Sequence, residues 1–165
     1  MSVRSAIFVS LGVCILAAAL EGVCAGKNVK PLFAKLRFPP YSAPLWVWYI
    51  IGVIYYVICF FILYRIFRHD GDTSMKYVAL TLLLVMMSVN AFWNYVFFRA
   101  QNLFLSFFAF AFYPFVAVAL LICLLQFEEI AAWSLVPYFV YLLYAVWWGY
   151  GLWKLNTRSK SQISN

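Results

Sequence analysis

Charge is scarce in this 165-residue chain: Asp, Glu, Lys and Arg make up only 10% of it, and only five residues are acidic. So thin a polar supply cannot cover a water-facing core, which excludes a soluble globular domain. Histidine occurs once, as His69, and the four cysteines, Cys14, Cys24, Cys59 and Cys123, stand singly, without paired or ligand-like spacing. The cysteines therefore read as packing residues rather than metal ligands, and His69 beside Asp70, Gly71 and Asp72 reads as a solvated turn. No Gly-rich phosphate loop, Ser/His/Asp set or helical His-Glu pair occurs, which argues against a hydrolase or nucleotide enzyme. No metal site and no required cofactor are expected.

What is abundant is apolar surface, at 67% of residues with mean hydropathy +0.92. Twelve Lys and Arg leave a net charge of +7, a surplus that in so apolar a chain belongs in short loops rather than on a nucleic-acid-binding face. The expectation is an integral protein of the lipid bilayer. About 20 apolar residues are needed to cross the hydrocarbon layer as a helix. Five runs fit, at residues 5–25, 44–64, 77–98, 103–125 and 131–153, and none alternates with the period of two that a barrel strand requires. The fold class expected is an all-α membrane protein, a single domain built as a five-transmembrane-helix bundle. Its connections are short except for a long basic loop at 26–43, and residues 157–165 form a polar tail. Arg4, the first apolar run and Val23-Cys24-Ala25 also fit a cleavable secretory signal. Against that reading, Glu21 lies close to the cut, and cleavage would leave four helices.

Eight Lys and Arg fall on the side of the long loop and tail (Lys27, Lys30, Lys35, Arg37, Arg99, Lys154, Arg158, Lys160), against four on the other (Arg4, Arg65, Arg68, Lys76). That bias places the loop and the C-terminus in the cytoplasm.

Polar groups inside the spans must find partners or line a cavity. Asn90 and Asn94 share one face of the third span with Trp93 and Phe97. The amides serve either as interhelical glue or as ligand contacts. Trp46, Trp48 and Trp153 fit an interfacial belt, while Trp93, Trp147 and Trp148 lie deeper and suit a flat apolar ligand. Lys30, Lys35 or Arg37 would then pair with an acidic group on it. Glu21 reads as a carboxylate snorkelling to the membrane surface. Pro114 and Pro137 fall inside the fourth and fifth spans. Gly149 and Gly151 offer a weak signal for close helix approach.

Several stretches, in order along nearly the whole chain, carry a resemblance. They are Phe38-Pro39-Pro40 with Ala43-Pro44-Leu45-Trp46, Asn90-Ala91-Phe92-Trp93 with Phe97-Phe98, Gln101-Asn102-Leu103-Phe104, Ala132-Trp133, Val136-Pro137-Tyr138, Tyr144-Ala145 and Trp153-Lys154-Leu155-Asn156. The chain resembles the tryptophan-rich sensory protein family, also called the translocator protein or peripheral benzodiazepine receptor family. The resemblance implies a five-helix bundle, commonly a homodimer, that binds tetrapyrroles, cholesterol and synthetic drug ligands below the first loop. It implies ligand-lining positions at Ala43, Leu45, Trp46, Asn90, Trp93, Asn94, Leu105, Ala145 and Trp148, and a sterol-recognition pattern at Val146, Tyr150 and Lys154. The membrane implied is the mitochondrial outer membrane or another organelle membrane in a eukaryote, and a cell-envelope membrane in a bacterium. Trp148-Gly149 stands where the family usually has Leu-Asn, Lys30-Pro31 lies upstream of its usual place, and a bulky Trp148 is expected to narrow the pocket.

The function expected first is a receptor or carrier for a planar hydrophobic ligand, a tetrapyrrole such as porphyrin or haem, then a sterol. Aromatic stacking would hold the ligand, Asn90 and Asn94 would orient it, and the basic loop would close over its acidic edge. Two alternatives remain: a light-dependent porphyrin-degrading enzyme, for which no acid, base or metal set is present, and a membrane scaffold with a vestigial pocket.

Overall fold

The structure is a computed structural model that describes residues 1–71 and 73–162, without the side chains of residues 73 and 158–162. Helix α1 spans Val3–Ala25, capped by Ser2, whose side chain accepts the Ser5 amide at 3.2 Å. A single 3-10 turn at Gly26–Asn28 joins it to the short α2, Val29–Lys35. Gly26 has φ +63°, and Arg99 Nε lies 3.2 Å from where a Cβ would stand, a tight approach, so glycine suits the break for two reasons. The remaining helices are α3 (Leu45–Arg68), α4 (Thr73–Asn94), α5 (Leu103–Leu125) and α6 (Glu129–Gln162). Asn102 caps α5 by accepting the Leu105 amide at 3.0 Å.

Five helical stretches are long and apolar enough to cross a membrane, in the order expected. Their bounds correct the sequence reading in three places. The loop begun at 26 is helical through Lys35, leaving an irregular segment at 36–44. Its lysines mark a helix leaving the apolar layer, because helix formation itself does not require apolar residues. The last helix runs on through Gln162, so the tail begins as helix; the side chains of Arg158 and Lys160 and all of residues 163–165 lie outside the described residues. The third span ends in a π-helical turn, Tyr95–Arg99, in which the consecutive residues Val96, Phe97 and Phe98 are all buried. An ordinary helix turns 100° per residue and would expose one of the three; widening the turn keeps them inward.

The helices close into a ring in which α1 packs on α3 and α4, α3 on α6, α6 on α5, and α5 on α4. Two core clusters fill it. One is largely aliphatic, with Ile62, Leu63, Ile66, Leu83, Met86, Leu120, Leu124 and Leu135. The other, at the end bearing α2 and the 36–44 segment, holds Phe97, Phe98, Phe110, Trp148 and Leu152.

At the aliphatic end, Arg65 bonds Glu128 through Nε at 2.8 Å and also through Nη2, and His69 Nδ1 lies 3.1 Å from the other Glu128 oxygen. Lys76 donates to the His69 carbonyl at 3.1 Å. The solvated turn expected at His69 is thus a clasp between the end of α3 and the start of α6, because the buried Glu128 needs hydrogen-bonding partners. Asp72 lies outside the described residues.

Candidate functional site

A cavity of about 310 Å³ lies between α1, α3, α4 and α6 towards the aromatic end. Each wall follows from a stripe at helical spacing. Ala18, Gly22, Ala25 and Val29 supply a small-residue wall. Leu45, Trp48, Gly52 and Tyr55 line it from α3, and Tyr138, Tyr141 and Trp148 from α6. Asn90, Trp93, Asn94 and Phe98 complete it from the third span, and Phe33 of α2 reaches in from above.

The rings are packed against one another rather than on the void. Trp48 and Trp148 have centroids 4.5 Å apart, and Trp93 stacks on Phe97 at 4.9 Å with planes 12° apart. Tyr138 lies 5.3 Å from both Tyr55 and Tyr141. Flat, rigid side chains that meet edge and face leave a slot. The indole N–H groups of Trp93 and Trp148 are buried without a hydrogen-bond partner among the described residues.

The polar centre is a carboxylate. Glu21 Oε1 accepts from Tyr56 Oη at 2.6 Å and from Asn90 Nδ2 at 2.6 Å. Asn94 Nδ2 donates to the Asn90 carbonyl at 3.0 Å, which holds the second amide on the same face. Tyr56 stands about three turns into α3, roughly 16 Å from Leu45 at about 1.5 Å per residue. Glu21 is therefore held level with the middle of α3 rather than snorkelling, because its partners on α3 and α4 satisfy it in place.

Of the positions implied by the resemblance, Leu45, Asn90, Trp93, Asn94 and Trp148 line the cavity. Four do not. Trp46 is 62% exposed and faces outward, one residue from the inward stripe. Ala43 is a brace: its amide donates to Tyr144 Oη at 2.8 Å and its carbonyl accepts from Trp48 Nε1 at 3.2 Å. Leu105 lines a separate shallow groove with Phe92 and Phe108 on the outside of α4 and α5. Ala145 is fully buried inside the aromatic cluster. Val146, Tyr150 and Lys154 of the sterol pattern line no part of the cavity; Tyr150 is exposed, with Lys154 Nζ 5.6 Å from its ring centre.

Other expectations also change. Trp48 is no belt residue but a wall, while Trp147 is 44% exposed and stacks only on Tyr144 at 5.7 Å. Lys30, Lys35 and Arg37 do not reach the cavity, and none of the described Lys or Arg side chains lines it. Lys35 and Arg37 border a different groove with Asn102, Phe104 and Trp153. Gly149 and Gly151 are occupied within the chain, against Phe110 and Pro39. Of the residues that sequence reasoning did not place on the wall, Trp48, Tyr55, Tyr138 and Tyr141 had a signal in the three- and four-residue steps of the α3 and α6 stripes, and Phe33 of α2 had none.

The family model described as TspO/MBR family matches residues 10–154. No curated protein matches the chain.

Proposed function

From a chain that belongs to the TspO/MBR family, an integral multi-pass membrane protein, we propose a receptor or carrier that holds a planar hydrophobic ligand in the aromatic cavity. The family is one of sterol- and tetrapyrrole-related transporters or receptors, and a tetrapyrrole is the first ligand to test, a sterol the second. The observation that carries this reading is the slot itself: three tryptophans and four tyrosines, Trp48, Trp93, Trp148, Tyr49, Tyr55, Tyr138 and Tyr141, line one void. Stacking on such faces supplies affinity, and the few polar groups set orientation. Because the cavity has no cationic wall, an acidic ligand edge would lie outside it. Membership in the family also favours a homodimer in the bilayer.

The test is a titration of detergent-purified protein with protoporphyrin and with haem, followed by tryptophan quenching. Saturable binding that falls about tenfold in Trp93→Ala and about fivefold in Asn90→Ala is expected, from loss of a stacked ring and of an orienting amide. Quenching that does not saturate, or that ignores both substitutions, would sink the tetrapyrrole reading, and the same titration with cholesterol would then decide for a sterol.

A further inference from the structure

Among the described residues Glu21 is the only acidic side chain that lines the cavity, and no Lys or Arg of theirs answers it there. Its Oε1 already takes two bonds, from Tyr56 and Asn90, whereas Oε2 receives none from the described residues. Nor does Oε2 fall among the buried polar atoms shut away without a partner, so it faces open space. The surroundings are apolar: Ala18 and Gly22 on its own helix, Gly52 and Tyr55 across from it. A carboxylate so placed in a medium of low dielectric strengthens any bond to a donor and repels any second carboxylate. Both residues that hold it are themselves fixed on other helices, so it meets a ligand as a preorganised acceptor rather than a mobile one.

We propose that Glu21 sets the specificity of this cavity, accepting at Oε2 a hydrogen bond from the buried end of a flat apolar ligand whose head group is an amine or a hydroxyl. A ligand with a carboxylate at that end is excluded. The proposal rests on the reading of the cavity as a ligand site, and it assigns polarity to the bound molecule: donor end at Glu21, flat body among the aromatic walls, any acidic group directed out of the cavity.

Four probes with one flat body separate the cases: 1-pyrenemethylamine, 1-pyrenemethanol, 1-methylpyrene and 1-pyreneacetic acid, each titrated into the full chain in nanodiscs. Cavity binding is the saturable tryptophan-to-pyrene transfer that Gly52→Leu abolishes. Gly52 lines the cavity, and a Cβ there meets no atom within 4 Å, so a leucine side chain starts in open space and takes up part of the void. The expected result is that the amine or the alcohol binds at least about fivefold tighter than 1-methylpyrene and the acid binds weakest, from one bond accepted at Glu21 Oε2. In Glu21→Gln, which keeps an acceptor for Tyr56, the donor preference should shrink at least about threefold. A preference for the amine alone identifies a cationic ligand, and an equal preference for the alcohol a neutral one. The proposal is overturned, with the ligand site intact, if neither donor probe reaches that margin, if the acid is not the weakest, or if Glu21→Gln leaves the preference in place. Transfer that never saturates, or that survives Gly52→Leu, overturns the ligand-site reading and the proposal with it. The wild-type comparison among probes stands even if a variant fails to fold.

Discussion

The two ends of the bundle solve the same packing problem differently. One end is filled with leucine, isoleucine and methionine and clasped by Arg65, His69 and Glu128. The other is filled with rings, and there a void of about 310 Å³ persists. Aliphatic side chains have rotamers enough to close every gap, whereas planar rings fix two dimensions at once and leave slots between faces. The clasp and the void thus lie towards opposite ends of the bundle, joined by Tyr55 and Tyr138, which belong to the first cluster and line the void.

The largest effect that can break this division is Glu128→Ala. It leaves Arg65 and His69 without their acid and should lower stability by about 3 kcal/mol, the low end for a buried pair because the Arg65 side chain is 32% exposed. Unfolding in mixed micelles measures it, and porphyrin affinity should hold in the folded fraction. If affinity falls with stability, the two ends are not separate. Gly52→Leu tests the converse at the aromatic end: binding should drop about 30-fold, roughly 2 kcal/mol, with the midpoint of unfolding unchanged or raised, since leucine favours helix over glycine. The smallest effect belongs to Trp46→Ala. With its ring outside the cavity, affinity should stay within about twofold. A larger loss would mean that the bound state rotates α3.

The five spans were legible because crossing a bilayer demands length and hydropathy, and both are local properties of the chain. Facing was not. In lipid the outside of a helix is as apolar as the inside, so Trp46 and Trp48 look alike in sequence, and only the ring order of the helices separates wall from surface. The π turn at Tyr95–Arg99 has no composition of its own; it exists because three consecutive bulky residues are wanted by the core. Glu21 was visible as an odd carboxylate, but its meaning depends on Tyr56 and Asn90, 35 and 69 residues away in sequence. The Trp93 and Asn90 face was legible, since both lie on one stripe of one helix. The contributions of Phe33 and Tyr141 required knowledge of which helices are neighbours.

The segment after α2 is sewn to α6 at three heights. Asn156 exchanges bonds with the Arg37 backbone at 3.0 and 2.9 Å, Pro39 lies on Gly151 so closely that a Cβ there would come within 2.9 Å, and Ala43 donates to Tyr144 at 2.8 Å. Roof and rear wall are therefore one rigid part, like a hatch welded to its frame. Across the cavity from that part, Gly22 of α1 and Gly52 of α3 line the void with no atom within 4 Å of where a Cβ would stand.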